Sequence, residues 1–327
     1  MAANPKPPTP ANLSLDKINK HFGTDEAARV YLEAVRWPTG PVCAHCGNNG
    51  KGVWKIEANA KRKVRPGLYE CGQCHKQFTV TVGTIFESSK IPLRKWLIAW
   101  YMVCSSKKGV AALQIQRQLE IGSYRTAWFM LHRIRYALRH PEFHEGEKLT
   151  GTVEADESWI GGTKKGPGSG YKKNKTAIVS LVERGGRVRS VAMKDHHVTS
   201  ANLREVLTKH IAEEATLMTD ELNAYRAIGR EFADHQVVQH SRKEYVRGEA
   251  HTNSVEGYFG NLKRGINGIY HHVGRKYLSQ YLAEFDFRYN ERTVSDGTRT
   301  ITGIKQVEGK RLTLRTPKGL AERMMGN

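Results

Sequence analysis

The spacing of apolar and polar positions predicts helices in the first 140 residues of the chain. In the stretch TDEAARVYLEAVRW, apolar residues recur at helical spacing behind Thr24, a capping residue that is followed by acids. Three more helices are predicted between residues 93 and 139: a tryptophan-rich run, a short segment from Val110 to Leu119, and a longer helix after IGS. The last two, joined by a turn with Gly122 and Ser123, fit a helix-turn-helix, although an ordinary helical hairpin would give a similar pattern.

After residue 150 the pattern changes from helical spacing to short strand-like runs. Helical segments interrupt five such runs in the order β-β-β-α-β-α-β-α. That order predicts a mixed α/β fold in which helices pack on a sheet. The strand candidates are TGTVEADESWIGG, TAIVSLVER, VRSVAMKDHH, ATLMTDEL and DHQVVQHS.

The composition indicates which class of partner such a chain would bind. The 327 residues include 52 Lys plus Arg against 32 Asp plus Glu, a net charge of +20. This imbalance favours a polyanionic partner, with nucleic acid ahead of an anionic membrane surface. The sequence has no apolar run of membrane-spanning length, and its proline-rich N-terminus lacks the apolar core of a signal peptide, so we expect an intracellular protein.

Four of the five cysteines form two matched pairs that predict a metal site. Cys43-x2-Cys46 and Cys71-x2-Cys74 are separated by 24 residues of turn-rich, strand-like sequence. Two such turns can close a tetrahedral site with no open position, which is the geometry of structural zinc. A redox pair or two disulfides are the alternatives, and an intracellular chain favours one structural zinc ion over both.

Three acids fall at positions where the predicted fold could bring them together. Asp156 lies near the end of the first strand, Asp220 ends the fourth, and Glu256 opens the helix after the fifth. Carboxylates that converge at one sheet edge are ligands for Mg²⁺, and two such ions can support an in-line phosphoryl displacement. The neighbours Glu157 and Glu221 should point to the opposite face by strand alternation, although an error of one residue stays open.

The helix in HTNSVEGYFGNLKRG supports two interpretations of Glu256. Asn253 and Glu256 have the spacing of a capping box, in which the acid has only a structural role. Lys263 follows Glu256 by two helical turns on the same face, and a cap requires no such lysine. Together with the presence of Asp220, this spacing favours the interpretation that Glu256 holds a metal ion.

Taken together, these motifs resemble the DDE transposases of bacterial insertion sequences, in the subgroup with an N-terminal zinc ribbon before an RNase H-like catalytic core. The resemblance spans roughly residues 20 to 292. It rests on the segments YLEAVRWPTGPVCAHCG, YECGQCHKQFTVTVGTIFESSKIPL, VEADESWIGG, TDELNAY, HTNSVEGYFGNLKRGINGIYHHV and FDFRYNER.

The resemblance implies metal-dependent cleavage at the 3′ ends of an element, followed by strand transfer into target DNA. The family's acids fall on Asp156, Asp220 and Glu256, which would hold two Mg²⁺ or Mn²⁺ ions, and Asn253 is a competitor for the third position. The downstream basic residue, expected to contact element-end DNA, falls on Lys263. From their charge, we expect further DNA contacts from Arg264, Arg125, Arg133, Lys172 and Lys173.

The expected partners are double-stranded DNA of the element ends and the target, bound by a homo-oligomer in the bacterial cytoplasm. A non-catalytic DNA-binding protein derived from a transposase and an RNase H-like nuclease or resolvase are the rival functions. The expected domains are a disordered tail at 1–13, a helical segment at 14–41, the zinc ribbon at 42–90, a helix-turn-helix-like domain at 91–145, the RNase H-like DDE domain at 146–292 and a basic tail at 293–327.

Overall fold

The computed structural model divides the chain into two compact units. Unit 1 consists of residues up to 106, 110–138 and 294 onward, and unit 2 of residues 107–109 and 139–293. No helix among the described residues is long and apolar enough to cross a membrane. Most of the expected N-terminal tail and the loop with Lys172 and Lys173 lie outside the described residues. The structure describes residues 13–49, 52–139, 147–161, 175–193, 198–239, 241 and 246–313.

Unit 1 contains helices and a three-stranded antiparallel ribbon. Its first long helix begins behind Thr24, whose hydroxyl accepts the N–H of Ala27 at 3.2 Å, as the sequence predicts. The ribbon follows, with strand order β1-β2-β3. The elements are α1 (Leu15–His21), α2 (Asp25–Arg36), β1 (Val53–Ile56), β2 (Leu68–Cys71), β3 (Gln77–Phe78), α3 (Leu93–Ser105), α4 (Ala112–Gln118), α5 (Tyr124–Leu138) and α10 (Asp296–Lys305).

The C-terminal segment differs from the expected tail because it contains the helix α10. Ser295 caps this helix by accepting the N–H of Thr298 at 3.2 Å. The helix packs against α3, and Arg299 donates a hydrogen bond to the carbonyl of Cys104 at 3.1 Å. Ile304 of α10 is also buried, so this segment is packed within unit 1.

Unit 2 is built on a five-stranded mixed sheet with the order β6-β5-β4-β7-β8. The strand β5 runs antiparallel to β4 and β6, whereas β7 runs parallel to β4 and to β8. This is the mixed sheet that the sequence predicts for an RNase H-like core. The strands are β4 (Thr152–Ile160), β5 (Thr176–Glu183), β6 (Val188–Ala192), β7 (Thr216–Thr219) and β8 (Asp234–Val237).

Helices cover both faces of this sheet, because apolar side chains project from both faces: Val179 and Leu181 of β5 from one, and Ile178 and Val182 from the other. One face packs on α6 and α7 through residues such as Leu203 and Ile228, and the other packs on α8 and α9 through residues such as Phe259 and Phe285. A short hairpin precedes α8. These elements are α6 (Ser200–His210), α7 (Asn223–Ile228), β9 (Val246–Arg247), β10 (Ala250–His251), α8 (Asn253–Gly265) and α9 (Leu278–Asn290).

Candidate active site and zinc centre

The four predicted zinc ligands converge in the ribbon. The sulfur atoms of Cys43 and Cys74 lie 3.7 Å apart, and those of Cys46 and Cys71 lie 3.6 Å apart. A tetrahedral zinc ion with Zn–S bonds of about 2.3 Å would hold its ligands about 3.8 Å apart, so the four thiols fit this ion. Asn48 donates a hydrogen bond to the sulfur of Cys71 at 3.5 Å, and such bonds favour the thiolate that binds zinc.

Strand pairing brings Asp156 and Asp220 together at one edge of the sheet. The parallel pairing of β4 and β7 places Glu154 beside Met218, and the same register continued by two residues places Asp156 beside Asp220. Asp220 follows the last residue of β7, and its Oδ1 accepts the N–H of Leu222 at 3.0 Å. This local turn holds the carboxylate at the carboxyl end of the strand.

Glu157 joins these two acids, which strand alternation does not predict. Carboxylate oxygens of Asp156, Glu157 and Asp220 all lie within 4.8 Å of one another. The hydroxyl of Tyr225 in α7 donates to Oε2 of Glu157 at 3.0 Å and holds this carboxylate near Asp220. Glu157 does leave the opposite face of β4 from Asp156, toward α7, as alternation predicts. Its carboxylate still reaches the acidic cluster because β7 has ended beside this position.

The neighbouring Glu221 is engaged elsewhere. Its Oε1 accepts the N–H of Ser241 at 2.9 Å, and it is not one of the three clustered acids. Asp220 is thus the member of this acidic pair that lies beside Asp156.

Burial and crowding raise the pKa values of the clustered acids. Burial, together with the charges of Asp220 and Glu256, raises the pKa of Asp156 to about 6, against the lowering effects of the N–H of Glu157 and the charge of Lys263. Burial also raises the pKa of Glu157 to about 7, with contributions from Asp220 and Asp156. Several carboxylates that repel one another in a half-buried site are a donor set suited to a hard divalent cation, because such a cation relieves the repulsion.

Glu256 and Lys263 lie on α8, and both act electrostatically on Asp156. Glu256 is not among the three acids within 4.8 Å of one another, and its Oε1 accepts the hydroxyl of Thr252 at 3.1 Å. The capping-box alternative does not match the structure. The residue that precedes the helix is Thr252 instead of Asn253, and the helix has no side-chain cap from this residue.

The expected DNA-binding residues differ in their exposure. Arg125, Lys263 and Arg264 are exposed, and Arg264 donates to Oδ1 of Asn261 at 2.9 Å. Arg133 is 7% exposed, so its prediction as a DNA contact is corrected.

The guanidinium of Arg133 has structural partners inside unit 1. It lies 5.2 Å from the centre of the Trp96 ring and donates to the carbonyl of Glu87 at 2.8 Å. Arg135, on the same helix, is also buried. Segments elsewhere in unit 1, including α3, cover Arg133 on this side of α5.

The chain is similar to transposases in both of its parts. Residues 148–290 match the ISXO2-like transposase domain, and residues 23–77 match the transposase zinc-ribbon domain. A protein in the transposable element ISH50 of Halobacterium salinarum is 27% identical over 292 residues, covering 82% of this chain and 92% of that protein.

Among solved structures, the crystal structure of the Mos1 strand transfer complex matches 57% of this chain and 73% of that chain at 14% identity. The TM-score is 0.22, a likeness too loose to support an argument. The two domain matches join a zinc ribbon to a DDE domain in one polypeptide, in the order that the sequence motifs predict. Residues 148–290 therefore form a DDE transposase domain of the ISXO2-like type, preceded in the same chain by a transposase zinc-ribbon domain.

Proposed function

We propose that this transposase binds the terminal inverted repeats of its element and catalyses metal-dependent DNA cleavage and strand transfer at the site of Asp156, Asp220 and Glu256. In the first step, water attacks the phosphodiester at each element end and leaves a 3′-OH on the element. In the second step, this 3′-OH attacks a phosphodiester of the target DNA, whose own 3′-OH leaves.

The convergence of Asp156 and Asp220 is the observation that carries this proposal. The two residues are 64 positions apart in the sequence, and the sheet register places their carboxylates within 4.8 Å of each other. A chain with a net charge of +20 attracts DNA, but an acidic cluster would repel a phosphate unless cations were bound between them.

The carboxylates of Asp156, Asp220 and Glu256 would hold two Mg²⁺ or Mn²⁺ ions. Such ions supply activation of the attacking oxygen and stabilisation of the leaving oxygen in phosphoryl transfer. Lys263 is exposed, and its Nζ lies 5.8 Å from the centre of the Phe259 ring, which helps to orient the ammonium group. We assign it to a phosphate of the element end.

The remaining parts of the proposal concern DNA binding and assembly. The ribbon and the pair α4 and α5 would recognise the terminal repeats, with Arg125 and Arg264 contacting phosphates. Lys172 and Lys173, outside the described residues, stay predicted backbone contacts. Because strand transfer joins two element ends to one target, we expect at least two copies of the chain on the DNA.

The test is a cleavage and joining assay with purified protein, the DNA that flanks its gene as the element ends, and a supercoiled plasmid as the target. Wild-type protein should cut at the 3′ ends and join them to the plasmid only when Mg²⁺ or Mn²⁺ is added. Asp156→Asn, Asp220→Asn and Glu256→Gln should each abolish both products without changing DNA binding. Asp234→Asn, an exposed carboxylate on β8, is the matched control and should stay active.

The products separate the rival functions. Cutting without joining would identify a nuclease or resolvase, and specific binding without cutting would identify a DNA-binding protein that has lost catalysis. Full activity of Glu256→Gln together with loss of activity in Asn253→Ala would move the third ligand to Asn253.

A further inference from the structure

A second acid on β4, Glu154, is fully buried and has donors on both of its oxygens. It is 0% exposed and lies two residues before Asp156, so both side chains leave the same face of the strand. Its Oε1 accepts a hydrogen bond from Nε of Arg184 at 2.8 Å and lies 3.2 Å from Nδ1 of His251. Burying a carboxylate costs free energy unless it is paired and hydrogen-bonded, and these partners offset that cost for Glu154.

The other partners of Glu154 belong to the first turn of α8. Its Oε2 accepts the N–H of Ser254 at 2.7 Å and the N–H of Val255 at 3.1 Å, while Oε1 accepts the hydroxyl of Ser254 at 3.1 Å. The first N–H groups of a helix have no partner inside the helix, and Thr252 supplies no side-chain cap here. The strand β4 therefore supplies the cap of α8 through Glu154.

This contact ties together the two elements that carry the proposed metal ligands. On the strand, Glu154 is two residues from Asp156. On the helix, the bound N–H of Val255 is one residue from Glu256. Arg184 of the loop after β5 closes the arrangement by donating also to the carbonyl of His251 at 3.0 Å, just before α8.

We propose that Glu154 is a positioning residue of the transposase site: its carboxylate fixes the first turn of α8 and so sets the position of Glu256 relative to Asp156. The proposal rests on the proposed metal-dependent cleavage. Glu154 itself faces helix N–H groups and Arg184 and holds no ion. Residues that orient metal ligands in this way typically change metal affinity or activity by about 10 to 100-fold when replaced.

The matched pair of variants for the test is Glu154→Gln and Glu284→Gln. Glu284, on α9 of the same unit, is also 0% exposed; it accepts the hydroxyl of Tyr270 at 2.6 Å and pairs with Arg288. Both variants remove a buried paired charge and should lower the unfolding temperature. Only Glu154→Gln places an amide group, which donates, against N–H groups of the helix that holds Glu256.

The measurement is the rate of 3′-end cleavage against Mn²⁺ concentration, at saturating DNA and at a temperature where all variants are folded. For Glu154→Gln we expect a Mn²⁺ concentration for half-maximal rate that is about 10 to 100-fold higher, with partial recovery at high Mn²⁺ and unchanged DNA affinity. For Glu284→Gln we expect the wild-type Mn²⁺ dependence.

Ser254→Ala is the milder variant if Glu154→Gln does not fold. It removes one hydrogen bond to Glu154 and should shift the Mn²⁺ dependence in the same direction by about threefold, because one hydrogen bond to the charged group is lost. This inference alone would be overturned if the wild-type protein is active and Glu154→Gln shows the same Mn²⁺ dependence as Glu284→Gln. If Glu154→Gln does not fold, the same comparison is made with Ser254→Ala. A wild-type protein that does not cut at all would instead overturn the proposed function.

Discussion

Replacing Asp156 by asparagine should stabilise the metal-free protein at neutral pH. The Asp156 carboxylate is partly buried beside Asp220 and Glu157, and among the described residues it accepts one hydrogen bond, from the N–H of Glu157 at 2.7 Å. Burial raises its pKa from 3.8 to about 6. The ionised group is thus less favourable in the folded protein than in the unfolded chain.

The size of the effect follows from this pKa difference. A shift of about two units corresponds to about 3 kcal/mol, at 1.36 kcal/mol per unit. Because the folded pKa lies above the unfolded value, the cost is absent below about pH 4, grows as the pH rises and is complete above about pH 6. Coupling to Glu157 and solvent screening reduce the expected gain to about 1 to 3 kcal/mol, or roughly 5 °C in unfolding temperature.

Calorimetry of the zinc-loaded protein, without added Mg²⁺ or Mn²⁺, measures this difference at pH 7.5 and pH 5. We expect Asp156→Asn to unfold at a higher temperature than wild type at pH 7.5, and we expect about half of that difference at pH 5. Added Mn²⁺ should then stabilise wild type far more than the variant, because only the intact cluster binds it well. Asp234→Asn should change stability by less than about 0.5 kcal/mol. Equal stability of Asp156→Asn and wild type at pH 7.5, or a gain independent of pH, would refute the reasoning.

Two further predictions concern the ribbon and the arginines of α5. Cys46→Ser should lose zinc and the folded ribbon, because the binding energy of the ion contributes to folding. Metal analysis and thiol titration check this. Wild-type protein with four free thiols and far less than one zinc per chain would contradict the predicted zinc site. Arg125→Ala should weaken DNA binding and reduce the slope of log affinity against log salt by about 0.9 without changing the unfolding temperature. Arg133→Ala should instead lower stability by about 1 to 3 kcal/mol with that salt slope unchanged, and the reverse pattern would restore Arg133 as a DNA contact.

The local elements, and the succession of strands and helices along the second half of the chain, could be predicted from the sequence because their causes are local. Thr24 caps α2 through its own neighbours, and the two Cys-x2-Cys turns determine their ligand spacing by themselves. The alternation of short strands and helices in the second half likewise predicts the mixed sheet. In each case the residues that decide the structure lie within a few positions of one another.

The features that sequence reasoning missed depend on distant segments. Arg133 is covered by Trp96 and Glu87, which lie 37 and 46 positions away in the sequence. Glu157 joins Asp220 because Tyr225, 68 positions away, holds its carboxylate. An adjacent Asp-Glu pair at a strand end was the available signal for Glu157, but strand alternation argued against it.

Two acids on one face of β4 show how environment separates a structural carboxylate from a functional one. Glu154 is fully buried and accepts hydrogen bonds from a guanidinium, a hydroxyl and two helix N–H groups. Asp156, two residues further, faces other carboxylates; its burial first, and then the repulsion within that group, disfavour the ionised, metal-free fold. A protein with 52 basic residues could have neutralised this cluster with arginine, as it does at Glu154. The cluster that retains its repulsion is the one that gains most when divalent cations bind, which is why we place catalysis at Asp156.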